Sequence, residues 1–243
     1  MLRELKFEVS GSELLQLTKS YTANNEAYQD YLVGRYHFSR RTVPELTEAI
    51  QYFKKAADRD PNFALAYVGL ADCYALLNLY GTPPPADAYD RARENAQRAL
   101  ALDSQLAEPH VSLAYVLFWR DRDRGGAERE LRRAIELNPG YPAAHHWLAL
   151  MLSAMGRLDE AKQQIQQAEL LDPRSAIIKT AAAMIWFYAR QYDEALNWSR
   201  RALDLDPEMV PAHKVQRWIY QTQGRYDEAL AAYQNEKRFS GEA

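Results

Sequence analysis

A single cysteine, Cys73, stands among 243 residues. No internal disulfide can form, and a cysteine-rich zinc site is excluded. Glycine and proline are sparse, 10 and 11 residues, too few for a many-stranded fold that turns every ten residues or so. No long apolar run occurs: the longest, Thr180 to Ala189, is far too short to cross a bilayer. The first residues, MLRELKFEVSGSELL, lack the apolar region of a secretory signal. Neither sign of charge dominates, with 30 basic against 33 acidic side chains. Nucleic-acid and anionic-membrane binding are therefore not expected, since both need a basic excess on some face. These absences are compatible with a cytoplasmic location. The phosphate-loop, dinucleotide, zinc-protease and serine-hydrolase signatures are missing too.

What is present is a core-forming composition, 47% apolar and 26% charged, and a period. YDEAL occurs at Tyr192–Leu196 and again at Tyr226–Leu230, a shift of 34 residues. Pro139, Pro173 and Pro207 keep the same spacing. Alanines precede each proline in fixed phase: Ala127 and Ala134, Ala161 and Ala168, Ala195 and Ala202. Earlier in the chain, Ala49, Phe53, Ala56 and Pro61 repeat the ladder. Ala92, Ala96, Ala99 and Ser104 follow, with serine in the proline position. The phase absorbs insertions at RRTVPE, around NLYGTPPPA and at DRDRGG.

Each repeat reads as two amphipathic helices, because apolar residues recur at i+3 and i+4 on both sides of a polar break. Leu148, Ala149 and Leu152 precede Gly156; Ala161, Ile165 and Ala168 follow it. Gly156 and Gly224 suit a left-handed helix end. Thr42-Val-Pro-Glu45 has the form of a capping box with proline in the first turn, and Ser10-Gly-Ser-Glu13 predicts an extra N-terminal helix. The expected boundaries are 1–25 for the N-terminal segment and its capping helix, then about 26–61, 62–104, 105–139, 140–173, 174–207 and 208–239.

These residues resemble the tetratricopeptide repeat (TPR) family. Its 34-residue pattern asks for bulky residues at positions 4, 7, 11 and 24, small ones at 8, 20 and 27, and proline at 32. The second repeat supplies Tyr67, Leu70, Ala71, Tyr74, Ala92, Ala96 and Ala99; the fourth supplies His145, Leu148, Ala149, Leu152, Ala161, Ile165, Ala168 and Pro173. The fifth departs at Lys179 and Ser199, and the sixth at Gln216, Arg217 and Glu236. The resemblance implies an all-α fold, a right-handed α-solenoid of about six helix-turn-helix units preceded by a short N-terminal helix. Stability would come from stacked neighbours, since no repeat can bury its apolar stripe alone. YTANNEAYQDYLVGRYHFSRRT and the stretch from Tyr80 to Ala114 are, more narrowly, similar to the C-terminal repeat regions of bacterial multidomain regulators. Those join TPR arrays to a winged-helix, adenylate cyclase or serine/threonine kinase domain, often through a TolB-like segment. Some place their repeats beyond a membrane span, which leaves an extracytoplasmic location open if this chain is part of such a regulator.

The candidate chemistry is thin. Cys73 lies inside a helix and reads as a buried thiol. His110, His145 and His213 fall in the fourth, packing, position, and adjacent His145 and His146 diverge by about 100° on a helix, so they do not chelate one ion. Paired carboxylates such as Asp193 and Glu194 open second helices, where they complement the helix dipole. No catalytic, metal or cofactor site is expected.

The resemblance places a partner on the face of the first helices turned away from their own second helices. In repeat one that face carries Tyr31, Arg35 and Phe38; in repeat two, Val68 and Asp72. Repeat three adds Val111, Tyr115, Phe118 and Trp119, and repeat four His146 and Leu150. Met184, Phe187 and Tyr188 follow in repeat five, then Lys214 and Trp218 in repeat six. Aromatic residues are effective binding anchors, and contiguous apolar surface marks an interaction site. The lysine, asparagine and arginine clamp of chaperone-tail TPR proteins is absent. The expected function is non-enzymatic: a scaffold that takes a peptide or protein partner in an aromatic groove, regulatory in bacterial signalling. The alternatives are a groove filled by the protein itself, and a small-molecule sensing module of a larger regulator. A second partner is expected to be another copy of the chain, joined through the C-terminal helix by Leu230 and Tyr233.

Overall fold

A computed structural model describes residues 21–80 and 87–240. The expected helix opening at Ser10-Gly-Ser-Glu13, and the three prolines of the long insertion, lie outside the described residues. Twelve helices and no strand occur among the described residues. The chain divides into two compact units, one ending at Ser104 and the other starting at Gln105.

The first unit contains α1 (Asn25–Ser39), α2 (Val43–Arg59), α3 (Ala64–Tyr80) and α4 (Ala88–Leu102). α1 starts where the Asn24 side chain accepts from the backbone N–H groups of Glu26 and Ala27. Thr42 caps α2, and Pro44 sits in its first turn. The box is only half closed: Glu45 turns instead to His37 Nδ1, at 2.6 Å. Each helix packs on the next, and α1 also touches α3. Phe53 of α2 is the wedge of this stack. Its ring lies where a Cβ on Gly34 of α1 would come within 2.7 Å, and one on Gly69 of α3 within 2.6 Å. Glycine is required at both positions because the aromatic ring occupies the space.

The second unit contains α5 (Glu108–Trp119), α6 (Arg124–Leu137), α7 (Pro142–Ala154), α8 (Leu158–Leu171), α9 (Ala176–Tyr188), α10 (Tyr192–Leu205), α11 (Val210–Thr222) and α12 (Tyr226–Ser240). Consecutive helices pack in chain order, and first helices also touch across repeats: α5 with α7, α7 with α9, and α9 with α11. Ala127, Ala134, Ala161, Ala168, Ala195 and Ala202 are fully buried, so the small residues lie where helices approach closely. Leu131, Leu148, Leu152 and Ile165 fill the volume between them.

The turns between paired helices need one left-handed residue. Gly156 (φ 81°) and Gly224 (φ 72°) supply it as expected. Arg41, Arg122 and Arg190 occupy the same position in other repeats at φ 52°, 61° and 59°, at a steric cost glycine does not carry.

A recurring polar strap joins one repeat to the next. The side chain at position 4 donates to the carbonyl of position 32 in the preceding repeat, six residues earlier. Tyr67 Oη reaches Pro61 (3.3 Å), His145 Nε2 reaches Pro139 (3.3 Å), Lys179 Nζ reaches Pro173 (2.5 Å) and His213 Nε2 reaches Pro207 (2.9 Å). The two histidines must carry their proton on Nε2, because a carbonyl only accepts. Three of the departures in repeats five and six, Lys179, Arg217 and Glu236, have physical explanations here. Lys179 is 5% exposed, and its ammonium also meets Glu169 at 3.2 Å. Arg217 and Glu236 take the places of two small residues that face one another, and they form a 2.7 Å ion pair.

Candidate functional site

In the second unit, the first helices bring the predicted aromatic residues into two clusters. Tyr115 of α5 packs edge-on against Trp147 of α7, with ring centroids 5.2 Å apart. Trp119 lies beside Tyr115 and Phe118, at 6.4 and 5.0 Å, and His146 stands 5.4 Å from Trp147. Further along, Phe187 of α9 meets Trp218 of α11 at 6.1 Å. Tyr188 and Tyr192 flank Phe187 at 5.7 and 5.8 Å, and the Lys214 ammonium stands 5.4 Å from the centre of the Trp218 ring. Each cluster bridges two consecutive first helices.

Burial sorts these residues by what they can reach. Val111, Tyr115, Phe118 and His146 are buried. They hold first helices together and cannot touch a ligand without moving. Leu150, Met184, Phe187 and Trp218 are half-buried. Trp119 (40%), Tyr188 (51%) and Lys214 are exposed. Trp147 was missed from the sequence, because it lies at position 6 of its repeat, off the face chosen there. Its half-buried ring on Tyr115 makes it part of the same wall.

The first unit is built differently. Tyr31 is half-buried and packs on Phe53 and Phe63, at 5.7 and 5.2 Å, so its ring belongs to the helix stack. Val68 is buried and Asp72 half-buried. Arg35 is exposed, with its guanidinium 5.5 Å from the Phe38 ring centre, and Arg41 takes up the same distance. Burial pushes the Cys73 thiol well above its ordinary value, with Asp72 adding to the shift and Arg35 opposing it. Such a thiol is a poor nucleophile.

The remaining histidine positions are structural. His110 Nδ1 meets Glu130 at 2.6 Å, and His145 Nδ1 meets Gln164 at 2.8 Å. No group of three or more histidine, cysteine or acidic residues placed to hold a metal occurs among the described residues. Nor is any helix there long and apolar enough to cross a membrane.

Tetratricopeptide repeat family profiles match residues 118–185 and 45–82. The chain carries tetratricopeptide repeats (TPR). The TPR chain is similar in fold to one in the Cut9–Hcn1 hetero-tetramer of the APC/C (TM-score 0.70, 19% identity, 96% of this chain and 42% of that one). It is also similar to PilW, a type IV pilus biogenesis factor (TM-score 0.65, 15% identity, 91% and 96%). A TPR protein of Thermus thermophilus superposes with a TM-score of 0.64 at 21% identity, over 84% and 99% of the two chains. In sequence, the TPR chain is 24% identical over 200 residues to the transcriptional regulator HilA of Salmonella typhimurium, covering 82% of this chain and 30% of the relative. It is 26% identical over 246 residues to tetratricopeptide repeat protein 37 of Xenopus laevis, covering 100% of this chain and 15% of that protein. The TPR chain therefore spans less than a third of the length of either relative. Its fold is that of a protein–protein interaction scaffold.

Proposed function

We propose that the first-helix face of the second unit binds an extended or helical peptide segment of a partner protein. The observation that carries this reading is the pair of aromatic clusters, Tyr115–Trp147 and Phe187–Trp218, each with an exposed ring beside it in Trp119 and Tyr188. Rings held by packing on one side and open on the other are anchors of low entropic cost. The buried members set the wall, and the exposed and half-buried ones make the contacts. Lys214, beside Trp218, favours a carboxylate or backbone carbonyl at that end. Arg35 and Phe38, together with Asp72, offer a separate polar contact surface in the first unit.

The role is regulatory. The similarity to a transcriptional regulator over most of this chain, and over only part of that protein, supports a partner-binding module of a larger signalling assembly.

The test is a peptide selected from a random displayed library against the whole chain. Its affinity is then measured by fluorescence polarisation. Trp119→Ala with Tyr188→Ala should weaken binding at least about tenfold while leaving the helical circular-dichroism signal unchanged, since neither ring lies in the core. Equal affinity in the double variant removes this face as the site.

A further inference from the structure

The second unit separates its charges. Glu108 is the sole acidic residue on α5, α7, α9 and α11, whereas α6, α8, α10 and α12 carry three each. The chain as a whole has a slight acidic excess, so its first helices lack carboxylates by placement and not by composition. Glu108 itself lies in the first turn of α5, three repeats away from α11.

The same four helices carry three cations. Lys179 is buried and held by Glu169, and Arg217 is held by Glu236, both carboxylates lying on second helices. Lys214 is exposed, and among the described residues it forms no ion pair. Its ammonium stands 5.4 Å from the centre of the Trp218 ring, and Trp218 in turn meets Phe187. A ring face supplies none of the oxygen acceptors that an ammonium with three donors requires. One end of the face therefore joins an unbalanced positive charge to two half-buried rings.

The spacing selects what fits there. Lys214 and Trp218 are four residues apart on one side of α11, with Cβ atoms about 5–6 Å from each other. In an extended peptide, side chains two residues apart share a face and are separated by roughly 6.6 Å. One residue can cover Trp218 with a bulky apolar group while its second neighbour sets a carboxylate on Lys214. A nucleic acid fits less well, since its binding depends on many phosphate contacts and a single unpaired cation cannot supply them.

We infer that the partner segment taken by this face is acidic, with an internal aspartate or glutamate two residues from a bulky apolar side chain. The carboxylate meets Lys214, and the apolar group covers Trp218 and Phe187. The inference rests on the peptide face proposed above and adds the chemistry of its occupant.

Peptides selected on the whole chain from a random displayed library supply the test. An acid two residues from a bulky apolar residue should occur at least about three times as often in the selected pool as in the input. One pool peptide, synthesised with an amidated C-terminus, should lose about three- to fivefold in affinity when its acid is changed to the amide. Lys214→Gln should weaken the parent peptide by the same factor and leave the neutralised peptide unaffected, with an unchanged helical circular-dichroism signal. A pool that needs Trp119 and Tyr188 but is neutral or basic, or that binds Lys214→Gln equally well, overturns the inference and leaves the peptide face standing. Loss of binding on amidation, or displacement of the peptide by a single-stranded DNA oligonucleotide, overturns it as well. A chain that selects no peptide, or a pool indifferent to Trp119→Ala with Tyr188→Ala, removes the face and the inference together.

Discussion

The ammonium of Lys179 donates to the carbonyl oxygen of Pro173, 2.5 Å away and six residues earlier in the chain. Glu169 lies on its other side and is shared with Arg201, whose guanidinium covers Trp198 at 4.1 Å. A buried charge is tolerated here because it has both a carboxylate and a backbone oxygen.

Removing the carboxylate should cost more than removing the lysine. Glu169→Ala leaves the Lys179 ammonium buried with one neutral acceptor, and about 3 kcal/mol of stability should be lost in urea unfolding. Lys179→Met removes the charge and fills similar volume, so its cost should stay below about 1.5 kcal/mol. The reverse order would show that the ion pair does not compensate for burial.

The left-handed turn residues allow a test free of packing effects, since an added Cβ at Gly156 or Gly224 meets nothing within 4 Å. Gly156→Ala should lower stability by about 1 kcal/mol through backbone strain alone. Arg190→Gly, at φ 59°, should raise it by a few tenths to about 1 kcal/mol, because the greater freedom of glycine in the unfolded chain offsets part of the relief. Thermal melts of the two variants should therefore move in opposite directions.

Gly69→Ala should destabilise the first unit by about 1–3 kcal/mol, although alanine is the better helix former, because the Phe53 ring occupies the methyl position. Phe53→Leu in the same chain should recover part of the loss. Additive losses in the double variant would mean that the two residues do not compete for one space.

Arg157 joins Glu160 on its own hairpin to Glu128 on the preceding one, each at 2.6 Å. Its guanidinium holds both carboxyls below the ordinary value of 4.5. Carboxylates with lowered folded values contribute stability that is full above the unfolded value and lost as pH falls through the folded one. Arg157→Ala should thus lower the melting temperature at pH 7 and have progressively less effect below pH 4.5. A constant difference down to strong acid would place the stabilisation elsewhere.

The repeat architecture was legible because packing between helices forces alanine at the same phase. Ala127, Ala161 and Ala195 reveal the period without any structure. Gly156 and Gly224 gave away two turns, while Arg41, Arg122 and Arg190 hid three more, since nothing in an arginine announces a left-handed backbone. The Arg217–Glu236 pair looked like two separate departures; only the knowledge that positions 8 and 27 touch makes them one interaction. The aromatic face was read from a single helix at a time. That reading could not anticipate that α5 and α7 cover one another, taking Val111, Tyr115 and His146 out of reach, or that Trp147 joins the wall from a neighbouring position. Nor could it anticipate that the half-buried Tyr31 ring packs on Phe53 and Phe63.

The position-4 straps bear on how a ligand is met. A link whose middle carbonyl is gripped by the following helix cannot swing as a free joint. In the second unit, Pro139, Pro173 and Pro207 are all gripped in this way. The straps thus restrain the angles of α7, α9 and α11, and a peptide bound across them as proposed would spend little of its attraction on freezing the host.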